Sequence, residues 1–176
     1  MKRKNSSLKS VVNISVFILI VLVAAYLIFY FVTQRTRVRG SSMETTLYDG
    51  DNIMIDKLSY HLRDIKRNEV ICFTAPRAKE TLIKRVVGLP GESVRISGGA
   101  IYIDGEIIED RIGGISFAGR AESEILLGSD EYFVLGDNRD ESIDSRYEEI
   151  GNVNRRNIIG RAFFLFYPFD RMRVVK

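Results

Sequence analysis

Ile101-Tyr102-Ile103-Asp104-Gly105-Glu106-Ile107-Ile108 is the stretch from which the fold is read. Two β-favouring runs flank Asp-Gly, the pair that supplies the positive φ angles of a tight primed turn, so an antiparallel hairpin is predicted. The same grammar repeats outward. Asp49-Gly50-Asp51 precedes Ile53 to Ile55, Val70 to Phe73 is a short apolar run, and Leu82 to Val87 is another, closed by Gly88-Leu89-Pro90-Gly91. Tyr132 to Leu135 and Ile158 to Tyr167 complete the set. Past residue 33, helical periodicity is confined to a weak trace around Leu58 to Ile65. The expected body is mostly β and antiparallel, with residues 109 to 131, rich in Gly, Ser and Glu, as an insertion or mobile loop.

The amino-terminal end is of a different kind. Val11 to Thr33 carries no charge and is interrupted only by Asn13 and Ser15 near its start. As a helix it would extend about 34 Å, enough to cross a hydrocarbon core of about 30 Å. A cleaved secretory signal has an apolar region of only about 7 to 15 residues, followed by a small-residue cleavage site. Here Gln34-Arg35-Thr36-Arg37 follows instead, so an uncleaved transmembrane anchor at 11–33 is expected. Lys2, Arg3, Lys4 and Lys9 precede it, and Arg35, Arg37 and Arg39 follow. With no acid in the first ten residues, the positive-inside rule favours a basic cytoplasmic tail at 1–10 and an extracytoplasmic domain at 34–176.

Charge then excludes one class of partner. The chain's formal charge is +3, and the first ten residues alone hold four cations, so residues 34 to 176 carry about −1. A nucleic-acid binder would carry its basic excess on the folded domain. The tail is suited to anionic lipid headgroups of the bilayer, or simply to setting topology. A lone Cys72 inside Val70-Ile71-Cys72-Phe73 excludes an internal disulfide and reads as a small buried hydrophobe rather than a nucleophile. No metal-ligand cluster and no phosphate-cradling loop is visible, so neither metal nor cofactor is expected.

Candidate chemistry rests on Ser42-Met43, nine residues past the anchor, and on Lys84 in the apolar run from Leu82 to Val87. A serine hydroxyl is a poor nucleophile at neutral pH until a base takes its proton, and His61 is the only histidine, set in a polar run. Lysine can serve as that base only when its amine is neutral. In an extended strand Lys84 lies on one face with Leu82 and Val86, whose apolar character disfavours the ammonium.

Three runs carry a resemblance. Gly-Ser-Ser-Met-Glu-Thr-Thr-Leu at 40–47, Ile-Lys-Arg-Val-Val-Gly-Leu-Pro-Gly-Glu at 83–92 and Gly-Asp-Asn-Arg-Asp-Glu-Ser-Ile-Asp-Ser-Arg at 136–146 resemble, in order, the three signature boxes of bacterial type I signal peptidases. The single amino-terminal anchor resembles the short, Gram-positive-type members. The resemblance implies an antiparallel β catalytic core with a smaller, variable β lobe from about residues 100 to 130, plus the one transmembrane helix. It also implies a cell-membrane serine endopeptidase that removes signal peptides from exported preproteins.

By the same resemblance Ser42 is the nucleophile and Lys84 the general base. Ser142 resembles the hydroxyl that orients the lysine amine, Asp144 and Arg146 an ion pair bracing the site, and Asp137 a supporting acid. The oxyanion is met by the backbone N–H of Ser42 and, at Gly40, where glycine offers no side-chain hydroxyl, by a backbone or water donor. Val38, Met43, Leu47, Leu82 and Ile83 are expected to line the substrate subsites. The chain departs from the family in Thr45, where proline is usual, Glu92, where aspartate is usual, and Glu141, where asparagine is usual. The rival function is a non-enzymatic assembly chaperone of the same family, for which loss of Ser42 or Lys84 would be expected. A histidine-based relative would need a histidine at position 84, and a self-cleaving repressor would need a DNA-binding half in place of the anchor.

Overall fold

The computed structural model describes residues 2–110 and 112–176, and the side chains of residues 2–10 and 27–31 lie outside that description. Residues up to Gln34 and from Arg35 to Lys176 form two compact units. In the first, helix α1 runs Lys2–Val32, so the segment expected as a basic tail is helical in its backbone. The side chains described from Val11 to Tyr26 are exposed. The basic side chains of the expected tail, and the side chains at 27–31 of the expected anchor, fall outside the described residues. Among the described residues no helix is long and apolar enough to cross a membrane.

The second unit is built from two antiparallel sheets. Among the described residues β1 is Thr33–Arg37, β2 Asn52–Asp56, β3 Val70–Ala75, β4 Glu80–Gly88, β5 Ser93–Ser97 and β6 Ala100–Ile103. β7 is Glu106–Ile107, β8 Ile125–Leu126, β9 Glu131–Leu135, β10 Val153–Asn154, β11 Ile158–Tyr167 and β12 Arg173–Val174. The large sheet has the order β1-β2-β11-β3-β4-β9-β10, with β12 on β11, and the small sheet β7-β6-β5-β8. The trace of helicity around Leu58 is one turn, α2, Ser59–Leu62.

The hairpin from which the reading began is β6 and β7, with Tyr102 opposite Ile107 and Ile103 opposite Glu106. Asp104 and Gly105 between them have φ of 51° and 82°, the paired left-handed conformation that the Asp-Gly turn requires.

β3, β9 and the second half of β4 are buried on both faces, which is why they read as continuous apolar runs rather than alternating ones. Phe133 and Leu135 of β9, with Val87 of β4, share a core with Val94, Ile96, Ile101 and Ile103 of the small sheet. Tyr132, Val134 and Val86 face the other way, onto Ile71 and Phe73. A third cluster gathers Val38, Met43 and Leu47 with Ile53, Ile55, Val70 and Leu165.

Residues 109 to 131 are not a loose loop. Ile115, Ala121 and Leu127 bury into the small-sheet core, and Gly119–Glu122 forms a 3-10 turn. The composition misled because few apolar residues suffice when each is spent on contact. The lobe also begins earlier than the sequence placed it, at β5, where Val94 and Ile96 point in and Arg95 and Ser97 point out.

The two sheets meet tightly at Gly88. A Cβ there would stand 2.6 Å from Val94, 2.7 Å from Leu127 and 2.9 Å from Phe133. Gly88→Ala is therefore expected to lower the unfolding free energy by about 1 to 3 kcal/mol, the usual cost of overpacking, in urea titrations of the detergent-solubilised chain. No change in midpoint would mean that the sheets can part freely.

Candidate active site

The turn carrying Ser42 is fastened from below. Met43 and Leu47 are buried, and the Thr46 and Leu47 N–H groups both donate to the Met43 carbonyl, at 2.8 and 2.7 Å. Buried Asp51 anchors its far end, accepting Arg171 at 2.9 and 3.1 Å and the Tyr48 N–H at 2.9 Å. The Ser42 carbonyl accepts the Asn138 N–H at 3.1 Å, which docks this turn on the loop that follows β9.

Lys84 sits on β4 opposite Ile71, with 2% of its surface exposed. Its Nζ lies 2.6 Å from Ser42 Oγ. Burial pushes the amine down to about 8; Asp144 and Asp137 pull in the opposite direction and Arg146 adds to the lowering. At about 1.36 kcal/mol per pH unit, holding this side chain costs the fold about 3 kcal/mol below pH 8. Between the folded value and the usual 10.5 the unfolded chain binds more protons, so stability rises with pH across that window.

The loop from Gly136 to Arg146 supplies the surroundings. Asp144 is fully buried, accepts the Gly136 N–H at 3.0 Å, and pairs with Arg146 Nε at 2.8 Å and Nη2 at 2.9 Å. Arg146 also donates to the carbonyls of Phe117, Arg139 and Ser142. Glycine is required at 136 for space, because a Cβ would lie 2.1 Å from Ser142 Oγ and 2.5 Å from the Ser42 carbonyl. Asp137 forms a bidentate pair with Arg85, at 2.8 and 2.6 Å, and Arg85 reaches on to Thr46 Oγ1. A buried guanidinium one residue from the lysine was not singled out in the sequence, because its acid lies 52 positions away.

Two expected contacts are not formed. Ser142 Oγ is buried beside the site but has no hydrogen-bond partner among the described residues, so it does not hold the Lys84 amine as it stands. The Gly40 N–H is engaged by Asp49 Oδ1 at 2.9 Å, which removes it as an oxyanion donor. The Ser42 N–H donates to no described group.

Beside Ser42 and Lys84 runs a groove of about 730 Å³. Val38, Met43, Leu82 and Ile83 line it as expected, joined by Cys72. Leu47 does not, being wholly buried in the core beneath. Burial raises the Cys72 thiol to about 11, so it adds surface rather than a nucleophile. Residues 38–40 and 81–83 both line the groove, and β9 pairs with β4 only from Arg85 onward, which leaves the edge of Glu80–Lys84 on that side uncovered by β9. His61 is exposed on α2 and does not line the groove. Among the described residues no group of three His, Cys, Asp or Glu could hold a metal ion.

The signal peptidase, peptidase S26 family matches residues 11–167. The chain belongs to that family. A probable signal peptidase I-2 of Synechocystis is 40% identical over 149 residues, covering 81% of this chain and 66% of that protein. Signal peptidase I T of Bacillus subtilis is 32% identical over 169 residues, 90% of this chain and 86% of that one. A crystal structure of a signal peptidase I from Enterococcus faecalis aligns at 28% identity with TM-score 0.46, over 56% of this chain and 97% of that one.

Within the peptidase S26 family this chain's departures are accommodated locally. Glu92, one methylene longer than aspartate, accepts the Leu89 N–H at 2.7 Å and still reaches Arg67 at 2.6 Å, closing the turn after β4. Thr45 and Glu141 both lie toward solvent. Two hydrogen bonds to the Met43 carbonyl close the serine turn around Thr45.

The cost of burying Lys84 makes a stability prediction that is independent of activity. Lys84→Met is expected to raise unfolding free energy at pH 7 by about 1 to 3 kcal/mol, a gain that shrinks as pH approaches 10.5. Urea titrations at pH 7 and 10 check it; equal or lower stability at pH 7 would mean that the amine is hydrated in the folded chain.

Proposed function

We propose that this chain is a membrane-anchored serine endopeptidase that removes signal peptides from exported preproteins, with Ser42 as nucleophile and Lys84 as general base. The observation that carries this reading is the 2.6 Å approach of a nearly inaccessible lysine amine to a serine hydroxyl beside a groove whose mixed lining includes Val38, Met43, Cys72, Leu82 and Ile83. With its ionisation near 8, about a tenth of Lys84 is neutral at pH 7, some 300-fold more than for a solvated lysine.

Ser42 Oγ attacks the scissile carbonyl carbon as its proton passes to Lys84 Nζ. The tetrahedral oxyanion is met by the Ser42 N–H. Collapse breaks the C–N bond, and Lys84 returns the proton to the departing amine of the mature protein. Water, activated by the same lysine, then hydrolyses the acyl-enzyme. Asp144, Arg146 and Asp137 brace the site. The assembly-chaperone alternative is not favoured, because both reacting residues are present and in contact.

Substrate adds as a strand between residues 38–40 and 81–83, placing alternate side chains against Val38, Met43, Cys72, Leu82 and Ile83. These walls explain a demand for small residues at the first and third positions before the cut, since larger ones would displace packed atoms. The uncharged segment from Val11 to Thr33, in α1 up to Val32, supports a single-pass anchor with its amino terminus in the cytoplasm and residues 34–176 outside. Membrane proximity then delivers the bond to Ser42 without affinity for the mature protein.

Ser42→Ala and Lys84→Ala are each expected to abolish cleavage of a preprotein while preserving the fold, since they act as one unit. Lys84→Arg should be equally inactive, because a guanidinium stays protonated. His61→Ala should change activity little. kcat/KM should rise through an ionisation near 8, and an acidic limb near 6.5 would instead implicate histidine.

Specificity is checked with preproteins differing only at the first and third positions before the cut. Alanine is expected to be cleaved at least tenfold faster than phenylalanine, the equivalent of about 1.4 kcal/mol. Equal rates would exclude the narrow groove as the source of selection.

A further inference from the structure

The small lobe is stitched onto the loop that surrounds Lys84. Arg139 Nη2 donates to Asp110 Oδ1 at 2.9 Å, and Ser116 Oγ donates to Asp140 Oδ1 at 2.5 Å. Arg146 Nη1 donates to the Phe117 carbonyl at 3.1 Å, while the Arg146 carbonyl accepts the Arg120 N–H at 3.0 Å. Gly119, at φ 55°, lets the two backbones touch, for a Cβ there would lie 2.3 Å from the Arg146 carbonyl oxygen. On the lobe's other side Ile115, Ala118 and Ala121 are packed into the core of the small sheet. The stretch is thus fixed at both faces.

We propose that these contacts make the small lobe a clasp: Asp110 acting through Arg139, and Phe117 to Arg120 acting through Arg146, hold the Gly136–Arg146 loop down on Lys84 and keep water from its amine. The inference rests on the Ser42–Lys84 reading and adds to it the positioning residues Asp110, Gly119 and Arg139, none of which touches substrate.

Two features support this role over a merely structural one. The Arg139 side chain is 4% exposed, and its Nε and Nη1 have no partner among the described residues, so Asp110 is the one carboxylate bonded to it, while Asp137 and Asp144 act on its charge from beyond ion-pair distance. Removing Asp110 takes the bonded counter-charge from a buried guanidinium, which drives Arg139 toward solvent and lifts the loop with it. Next, Arg146 Nη2 holds the Arg139 carbonyl at 2.7 Å and Asp144 at 2.9 Å, so movement of Arg139 is passed directly to the pair beside the lysine. The charged groups that act on Lys84 are Asp144, Asp137 and Arg146, all on this loop, with Arg85 following it on its own strand and paired to Asp137. Burial has the largest effect on its ionisation, so admitting water raises it.

The test is kcat/KM for a preprotein from pH 6.5 to 10.5 with the full-length, detergent-solubilised chain and its Asp110→Asn, Asp110→Glu and Gly119→Ala variants. Asp110→Asn and Gly119→Ala are expected to move the acidic limb up by about one pH unit. Activity then falls about tenfold at pH 7 and returns to within about threefold of the parent by pH 10. Asp110→Glu should restore most of the limb's position. A loss of the same size at every pH, with the limb unmoved, overturns the clasp and leaves the lobe a structural support. Should Gly119→Ala not fold, as judged by its thermal transition, Asp110→Asn decides alone. A parent chain with no ionisation near 8 would overturn the lysine-base reading and the clasp together, whereas a normal parent limb with superimposable variants overturns only the clasp.

Discussion

On the proposed serine-lysine reading, keeping the Lys84 amine out of water while leaving Ser42 open to a substrate is the constraint that the surrounding structure meets. Burial alone would silence the serine, and exposure alone would leave the lysine charged. The chain meets both demands by approaching the pair from different elements. Lysine comes up from a central strand buried on both faces, and serine comes from a turn that is partly open to the groove. Each element has its own anchorage: β3 and β9 for the strand, Asp51 with Arg171 and the Met43 carbonyl for the turn.

The energetics run against stability in a telling place. Lys84 costs the fold about 3 kcal/mol at neutral pH, a large fraction of the net stability of an ordinary domain. Around it, the buried ions are paired. Arg85 has Asp137 and Arg146 has Asp144, and both pairs bring further hydrogen bonds that complete their shells. Lysine alone is given a hydroxyl in place of a carboxylate partner, which leaves its proton loosely held. That asymmetry distinguishes a chemical site from a structural ion network, in which every charge has its opposite.

β3 and β9 were legible because burial on both faces writes a continuous signal. β11 is only half-buried and was legible from its run of aliphatic and aromatic residues: Ile158 to Tyr167 matches it to the residue, and Leu82 to Val87 matches β4 within two. β5 was missed although its alternation is clean, because Gly91-Glu92-Ser93 reads as the continuation of a turn. β10 and β12, two residues each, are too short to leave a pattern of their own and are defined by pairing with β9 and β11. In the site, Ser42, Lys84, Asp144 and Arg146 were legible through their resemblance to known boxes. The contacts Arg85–Asp137 and Asp110–Arg139 were not, because side chains 52 and 29 positions apart leave no local pattern. The role given to Leu47 failed for a related reason: being apolar near the serine does not say on which side of the turn a residue lies. The bond expected of Ser142 depends on a single hydroxyl's orientation, which no sequence records.

The most direct test of this account is the ionisation of Lys84 itself, followed by NMR in the full-length chain carrying ¹³C at lysine Cε, with Lys84→Met identifying the resonance. The account predicts a titration near 8, well separated from the other lysines. A Lys84 resonance that titrates with the solvated lysines, near the usual value of about 10.4, would contradict it, because the residue would then be protonated wherever the enzyme is asked to work.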